Sequence, residues 1–352
     1  MMRYPAQLVS PLRQAYEGQT VCVTGGAGFI GGHLVEGLLA LGAKVRVIDD
    51  LSNSTLATLA ERIETEPDRV RFLHASILED AALKEALQGT AVVFHLAALG
   101  SVPRSIDDPE RTWTVNATGT MRVLQAARQA GTRRVVFAAS SSAYGETEQL
   151  PKVESMVPSP RSPYAASKVA GEELLQTWAH SYGMETAGLR YFNVFGPRQP
   201  ANSAYAAVVP SFAWAVLAGQ RPVIYGDGEQ TRDLTYVSNA VLATMQAGGG
   251  ERPLRGEIMN IGSGRRISIG ELARTIAEIL KRPDIVPRHR EARVGDVRHS
   301  LADISRAREL IGYKPFTTLE NGLQETLKWA KEAYSQGNTS QTDSEQTPPV
   351  QE

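Results

Sequence analysis

Apolar residues are arranged along this chain in two alternating rhythms. The short runs Val21-Cys22-Val23-Thr24, Lys44 to Ile48, Phe72-Leu73-His74, Ala91 to Leu96, Val135 to Ala139 and Ala187 to Phe192 read as buried strands. Between them, helical periodicity marks His33 to Leu41, Glu79 to Leu87, a helix that follows the loop Ser101 to Ile106 and reaches about Ala130, and a helix opening at Tyr164. Strand and helix in alternation predict an α/β fold built on a doubly wound parallel sheet. The rhythm breaks at Asn193-Val-Phe-Gly-Pro-Arg-Gln199. Beyond it come a helix from Val208 to about Gly219, a short strand at Val223-Ile224-Tyr225, a capping box from Ser268 to Glu271, and final helices at Asp303 to Ile311 and Leu319 to Tyr334. From Ser335 onward Ser, Thr, Gln, Asn and Pro dominate, so residues 335–352 are expected to be a disordered tail.

Two stretches carry chemistry. Directly after the first strand stands Gly25-Gly-Ala-Gly28-Phe29-Ile30-Gly31, and a helix follows it. Glycines between a strand and a helix let the backbone approach a pyrophosphate held at the helix N-terminus, so this is a Rossmann-type dinucleotide fingerprint. The second strand ends at Asp49-Asp50, where a carboxylate can accept from adenosine ribose hydroxyls and would repel a 2′-phosphate. NAD is favoured over NADP.

The second stretch runs from Ser140 to Lys168. Ser140, Ser141 and Ser142 close a buried strand, at the end where open α/β sheets bind ligands. Tyr164 and Lys168, four residues apart on one helical face, could be ordinary surface residues. With a fingerprint upstream and a serine cluster nearby they instead form a candidate hydride-transfer site: an ammonium beside a phenol favours the phenolate and makes Tyr164 a proton shuttle. His95, inside a strand, reads as a satisfied core histidine. Arg104 is either a surface residue or one that faces a ligand.

The length of 352 residues suits about two domains. With 37 basic and 38 acidic residues the net charge is −1, which favours neither nucleic acid nor an anionic membrane. Any phosphate must be met by local groups. The single cysteine, Cys22, excludes an intrachain disulfide and fits a reducing cytoplasm. No apolar run reaches membrane-spanning length and no apolar leader precedes Gln19, so a soluble cytoplasmic protein is expected.

The stretches GGAGFIG, AALGSVPRSI, ASSSAYG, SPYAASK, LRYFNVFGPRQ, GDGEQTRDLTYV and RVGDVRHSLADIS together resemble the extended short-chain dehydrogenase/reductase family, in its nucleotide-sugar branch. Within that branch the chain is similar to bacterial UDP-N-acetylglucosamine 4-epimerases of surface-polysaccharide synthesis. The resemblance implies interleaved domains. Residues 1–192 plus about 235–262 would bind NAD, with a helix at Ser238 to Ala247 and a strand at Glu257 to Ile261 joined by a flexible Gly248-Gly249-Gly250 loop; about 193–234 plus 263–334 would bind the UDP-sugar. It implies cofactor contacts from Gly25, Gly28, Phe29, Ile30, Asp49, Asp50, Asn53, Ser76, Ile77, Ala97, Ala98, Tyr164, Lys168 and Phe192. Ser76 stands where the family usually has an acid for the adenine amine. Substrate contacts are implied for Gly100, Ser101, Ser141, Ser142, Asn193, Gln199, Ala207, Val208 and Ser300, with Tyr225 near uracil, Arg232 and Arg293 on the diphosphate and Asp296 on the uridine ribose. No metal is implied.

By the same resemblance the reaction is a redox-neutral isomerisation. Tyr164 would take the proton of the sugar 4-hydroxyl while hydride leaves C4 for NAD, Ser140 would bond that oxygen, and Lys168 would tune Tyr164. The 4-keto sugar would then turn over before the hydride returns. Dehydratases and decarboxylases of this fold carry acids where this chain has Ser141 and Ser142, which argues against elimination; a silent NAD-binding scaffold should have lost Tyr164 or Lys168. The sugar stays open among N-acetylhexosamine, its uronic acid and plain glucose or galactose, although Ser300, where a bulky tyrosine would exclude an N-acetyl group, favours the first. A homodimer is expected through a four-helix interface, from Val123, Leu124, Leu174 and Leu175 as apolar residues beyond one core-facing stripe.

Overall fold

The computed structural model describes residues 4–200, 207–292 and 297–344, with side chains described as far as residue 336. Seven parallel strands make the central sheet. Six occur in chain order, β1 (Thr20–Thr24), β2 (Lys44–Asp49), β3 (Val70–His74), β4 (Val92–His95), β5 (Arg134–Ser140) and β6 (Glu185–Tyr191), and a seventh, Arg255–Ile261, returns to pair with β6. Across the sheet the order is Arg255–Ile261, β6, β5, β4, β1, β2, β3. The order reverses between β1 and β4, and doubly wound sheets open their ligand crevice at such a switch point, beyond the strands' carboxyl ends.

Both faces of the sheet are covered, which is why its strands are nearly continuous apolar runs. In β5, Val136 and Ala138 enter the core on one face, while Val135, Phe137 and Ala139 enter the core on the other, as a period of two requires. On the first face lie Leu34 and Leu38 of the helix Phe29–Ala40 with Val241 and Met245 of Val237–Gly249. Leu83 and Leu87 of Asp80–Leu87, Val123 and Leu124 of Gly119–Gln129, and Leu175 of Pro163–Tyr182 fill the second. Val123, Leu124 and Leu175 are therefore core residues rather than spare apolar surface, a correction to the sequence reading. Gly119–Gln129 exposes Met121 and Pro163–Tyr182 exposes Tyr182 instead, and the separate helix Pro109–Trp113 exposes Trp113. Helices Val208–Leu217 and Ile269–Ile279, with the parallel strand pair Val223–Tyr225 and Arg288–Arg290, build the smaller part of the molecule.

Several elements differ from the sequence reading for physical reasons. Before β1, where periodicity assigns nothing, Ala6–Tyr16 is a helix, and the buried Tyr16 hydroxyl donates to the Met245 carbonyl at 2.6 Å. The Gly248-Gly249-Gly250 segment is no flexible loop, because the helix runs to Gly249. A Cβ at Gly248 would stand 2.5 Å from the Phe94 ring, so glycine serves close packing here. Val102–Asp107 forms a short helix within the expected loop, and the chain continues through Pro109–Trp113, a π-turn at Thr114–Thr118, and Gly119–Gln129. The π-turn holds Asn116, whose Oδ1 accepts the Leu99 amide at 2.8 Å and whose Nδ2 donates to Ser167 Oγ at 3.0 Å. The last helix continues from Leu319 to Ser344, so the expected disorder from Ser335 begins as helix. With Leu323, Leu327 and Ala330 packed, each further turn adds hydrogen bonds without a new nucleus. Residues 345–352 lie outside the described residues.

His95 is the core histidine that the sequence suggested. Thr120 Oγ1 spends its proton on the Asn116 carbonyl and so accepts from His95 Nε2 at 2.9 Å; Thr24 Oγ1 accepts the Ala97 amide and donates to His95 Nδ1 at 2.7 Å. The neutral ring uses every polar atom. Burial and then the Lys168 charge push His95 down to about 3, and burial and then Arg198 push His33 down to about 4, against the opposing pull of the Pro197 carbonyl and Glu36. Both folded values lie below the unfolded value of about 6.5. As pH falls through that value, the unfolded chain takes up protons that the folded one refuses, and stability is lost. The urea midpoint should therefore drop between pH 7 and 5, above the carboxylate range. A flat midpoint across that window would contradict the assignment.

Candidate active site

Ser140 ends β5, and its hydroxyl accepts both the Ser142 amide at 3.2 Å and the Ser142 hydroxyl at 2.8 Å. The helix Pro163–Tyr182 starts where proline at its first position and the Ser162 hydroxyl, accepting the Ala165 amide at 3.1 Å, fix its entry. That entry brings Tyr164 and Lys168 over the end of β5. Lys168 Nζ donates to the Ala138 carbonyl at 2.8 Å and lies 4.7 Å from the Phe137 ring centroid and 5.9 Å from that of Tyr164. All three candidate residues line one cavity of about 520 Å³.

The electrostatics of this cluster differ from the sequence expectation. Burial raises the Tyr164 phenol above its ordinary value, and the hydrogen bond with Ser140 pulls it back. Burial also pushes Lys168 down to about 7, against the pull of the Glu172 carboxylate. Desolvation thus weakens the ammonium that should favour the phenolate. The Tyr-x-x-x-Lys step in the sequence carries no information about burial.

The fingerprint forms the floor of a second, smaller cavity of about 110 Å³ beside the first. Gly25 has φ +72°, and a Cβ there would stand 2.6 Å from the Ala97 amide nitrogen. Only glycine fits this turn. Gly28, Asp49, Asp50, Asn53, Ser76, Ile77, Ala97 and Ala98 line this cavity, and Phe29, Ile30 and Phe192 line the larger one. Asp49 is also structural, since its carboxylate accepts the Ala27 amide at 3.0 Å and the Leu51 amide at 2.9 Å, tying β2 to the glycine turn. Ser76 Oγ accepts the Leu78 amide at 3.2 Å, so its hydroxyl is partly engaged in the turn after β3.

Substrate-side candidates are divided between two joined cavities. Gly100, Ser141, Ser142, Gln199 and Ser300 line the 520 Å³ cavity, and Ala207, Val208 and Tyr225 line one of about 260 Å³; Asn193 and Arg232 belong to both. Asn193 turns the chain at φ +33° and donates to the Asp233 carbonyl at 3.2 Å. Ser101 departs from its expected place: its hydroxyl caps the short helix by accepting the Arg104 amide at 3.3 Å, and it lines a neighbouring cavity of about 220 Å³. Arg104 lines that same cavity and donates to Asn53 Oδ1 at 3.0 Å. Arg293 and Asp296 lie outside the described residues.

Sequence reasoning passed over Tyr144, Lys152, Glu172 and Arg190. Tyr144 and Lys152 line the large cavity, the Tyr144 hydroxyl donates to Asn260 Oδ1 at 2.6 Å, and Lys152 Nζ donates to the carbonyls of Thr147 and Gln149. Glu172 repeats the four-residue step from Lys168, a signal that was available; its Arg190 partner comes from another strand and left none.

A model of the "NAD dependent epimerase/dehydratase family" matches residues 21–262. A UDP-glucose 4-epimerase of Mycolicibacterium smegmatis is 42% identical over 310 residues, 87% of this chain and 97% of that protein. Among solved structures, UDP-N-acetylglucosamine 4-epimerase from Methanobrevibacter ruminantium, in complex with UDP-N-acetylmuramic acid, is 39% identical with a TM-score of 0.84, covering 91% of this chain and 99% of its own. UDP-glucose 4-epimerase of Thermotoga maritima with UDP-glucose also has a TM-score of 0.84, at 35% identity, covering 90% and 100%.

Proposed function

The chain belongs to the NAD-dependent epimerase/dehydratase family, and on that footing we propose that it interconverts a UDP-hexose with its C4 epimer, preferring UDP-N-acetylglucosamine and UDP-N-acetylgalactosamine. The observation that carries this reading is the Ser140–Tyr164–Lys168 cluster at the meeting of the fingerprint cleft and a cavity that continues, through Asn193 and Arg232, into the smaller part of the molecule. A nucleotide with a long diphosphate link suits that shape. The residues present fit NAD: a glycine turn that no side chain could share, an acidic strand end and small residues at Ala97-Ala98. Bound there, NAD would supply a hydride acceptor and donor.

The chain's own residues do the rest. Tyr164 takes the proton of the sugar 4-hydroxyl, Ser140 hydrogen-bonds the same oxygen, and Lys168 in its ammonium form favours the phenolate. Arg232 meets the diphosphate, where a guanidinium fork matches phosphate oxygens. Ser141 and Ser142 hold no acid for elimination. Ser300, buried in the cavity wall, leaves room for an acetamide. Coupled assays on a panel of purified UDP-sugars test this directly. A higher kcat/KM for UDP-glucose than for UDP-N-acetylglucosamine would overturn the preference, and no turnover of any UDP-hexose would overturn the activity.

A homodimer belongs to the same reading. Trp113, Met121 and Tyr182, on the helices that flank the second face of the sheet, are 49%, 40% and 51% exposed. Large apolar side chains gathered on one set of helices suit pairing with a second copy. Sedimentation should give a dimer at micromolar concentration, and Trp113→Glu with Met121→Glu should give a monomer. A wild-type monomer would refute the pairing.

A further inference from the structure

Behind the catalytic pair lies a buried ion pair that the proposed reaction does not use. Glu172 stands one helical turn beyond Lys168, on the same face of Pro163–Tyr182. Its carboxylate is gripped by Arg190 of β6, with Nε to Oε1 at 2.9 Å and Nη2 to Oε2 at 2.7 Å, and both side chains are 3% exposed. The same guanidinium lies 4.5 Å from the centroid of the Tyr144 ring, in the wall of the large cavity. Two desolvated charges are expensive to keep, and an apolar pair would often be at least as stable. Stability alone does not account for them here.

We propose that Glu172 is a positioning and tuning residue of the active site: locked by Arg190 one turn below Lys168 on the same helical face, its carboxylate is the buried countercharge that the lysine's amine works against. The inference rests on the role given to Lys168 above. The groups facing Lys168 leave few other sources of charge. From β5 come the Ala138 carbonyl and the Phe137 ring; from β4 comes His95, which is neutral; from β6 comes Arg190, whose charge is spent on Glu172; from its own helix come Tyr164 and Glu172. Glu172 is the one anion among these described groups. Arg190 holds the carboxylate in place through two hydrogen bonds, so that it can act on Lys168.

The test is a titration of Lys168 by NMR in 13C-lysine-labelled holoenzyme without substrate, the resonance being assigned by its loss in Lys168→Arg. Removing a neighbouring anion should lower the lysine's pKa in Glu172→Gln by about one unit. The alkaline limb of the kcat/KM profile should move down by the same amount, because the ammonium is then lost at lower pH. Should Glu172→Gln leave Arg190 orphaned and the fold damaged, Glu172→Leu with Arg190→Met removes both charges at similar volume. The Lys168 titration is expected to move in that double variant as well. A folded double variant in which the titration and the alkaline limb stay at their wild-type positions would overturn the proposal and leave the pair as packing. The titration needs no sugar, so a shifted Lys168 in an enzyme that turns over no UDP-hexose would refute the proposed substrate and leave this inference standing.

Discussion

Tyr164→Phe should lower turnover by a factor on the order of 10²–10⁴, the usual worth of a positioned acid–base group, while the protein folds as before. The substitution removes one hydroxyl and keeps the ring. No other phenol among those lining the cavity can replace it. The Tyr144 hydroxyl is committed to Asn260 Oδ1 at 2.6 Å, and that of Tyr191 to Thr244 Oγ1 at 2.7 Å. A steady-state assay alongside a urea melt distinguishes chemistry from folding. Activity above about a tenth of wild type in a folded variant would remove Tyr164 from the proton-transfer role.

Ser300→Tyr should cut kcat/KM for UDP-N-acetylglucosamine by about 10–200-fold and spare UDP-glucose, the range expected when one substituent is excluded from a pocket. The magnitude depends on whether the wall can retreat. The Ser300 amide donates to the Thr231 carbonyl at 3.1 Å, the Leu301 carbonyl accepts the Lys152 amide at 2.7 Å, and the Ala302 amide donates to Asp233 Oδ2 at 3.1 Å. Asp233 also accepts the amides of Ser263 and Gly264, so the segment is pinned from both sides and a phenol must project into the cavity. Comparing both substrate pairs in wild type and variant decides the matter. Undiminished turnover of UDP-N-acetylglucosamine by Ser300→Tyr would mean that Ser300 is not the gate.

The sheet, the glycine turn and the gathering of Ser140, Tyr164 and Lys168 at one cavity were legible in the sequence, because each is written in neighbouring residues: apolar runs of strand length, glycines between strand and helix, and a phenol and an amine four residues apart. The sequence also placed His95 in the core, since a histidine inside an apolar strand has nowhere else to go. Features that depend on partners distant in sequence emerged only in the folded molecule. Gly248 sits inside a helix where Phe94 and Tyr16 leave no room for a side chain, Ala6–Tyr16 docks through the Tyr16 hydroxyl on the Met245 carbonyl, and Val123, Leu124 and Leu175 are core because a second sheet face needs covering. The same holds for the electrostatics of the site. The spacing of Tyr164 and Lys168 puts them on one helical face, but only the packed molecule shows that burial works against the charge of Lys168 and that a carboxylate, held by an arginine from another strand, opposes it. Periodicity is a local property of the chain, whereas desolvation and charge pairing depend on which distant segments come to lie alongside.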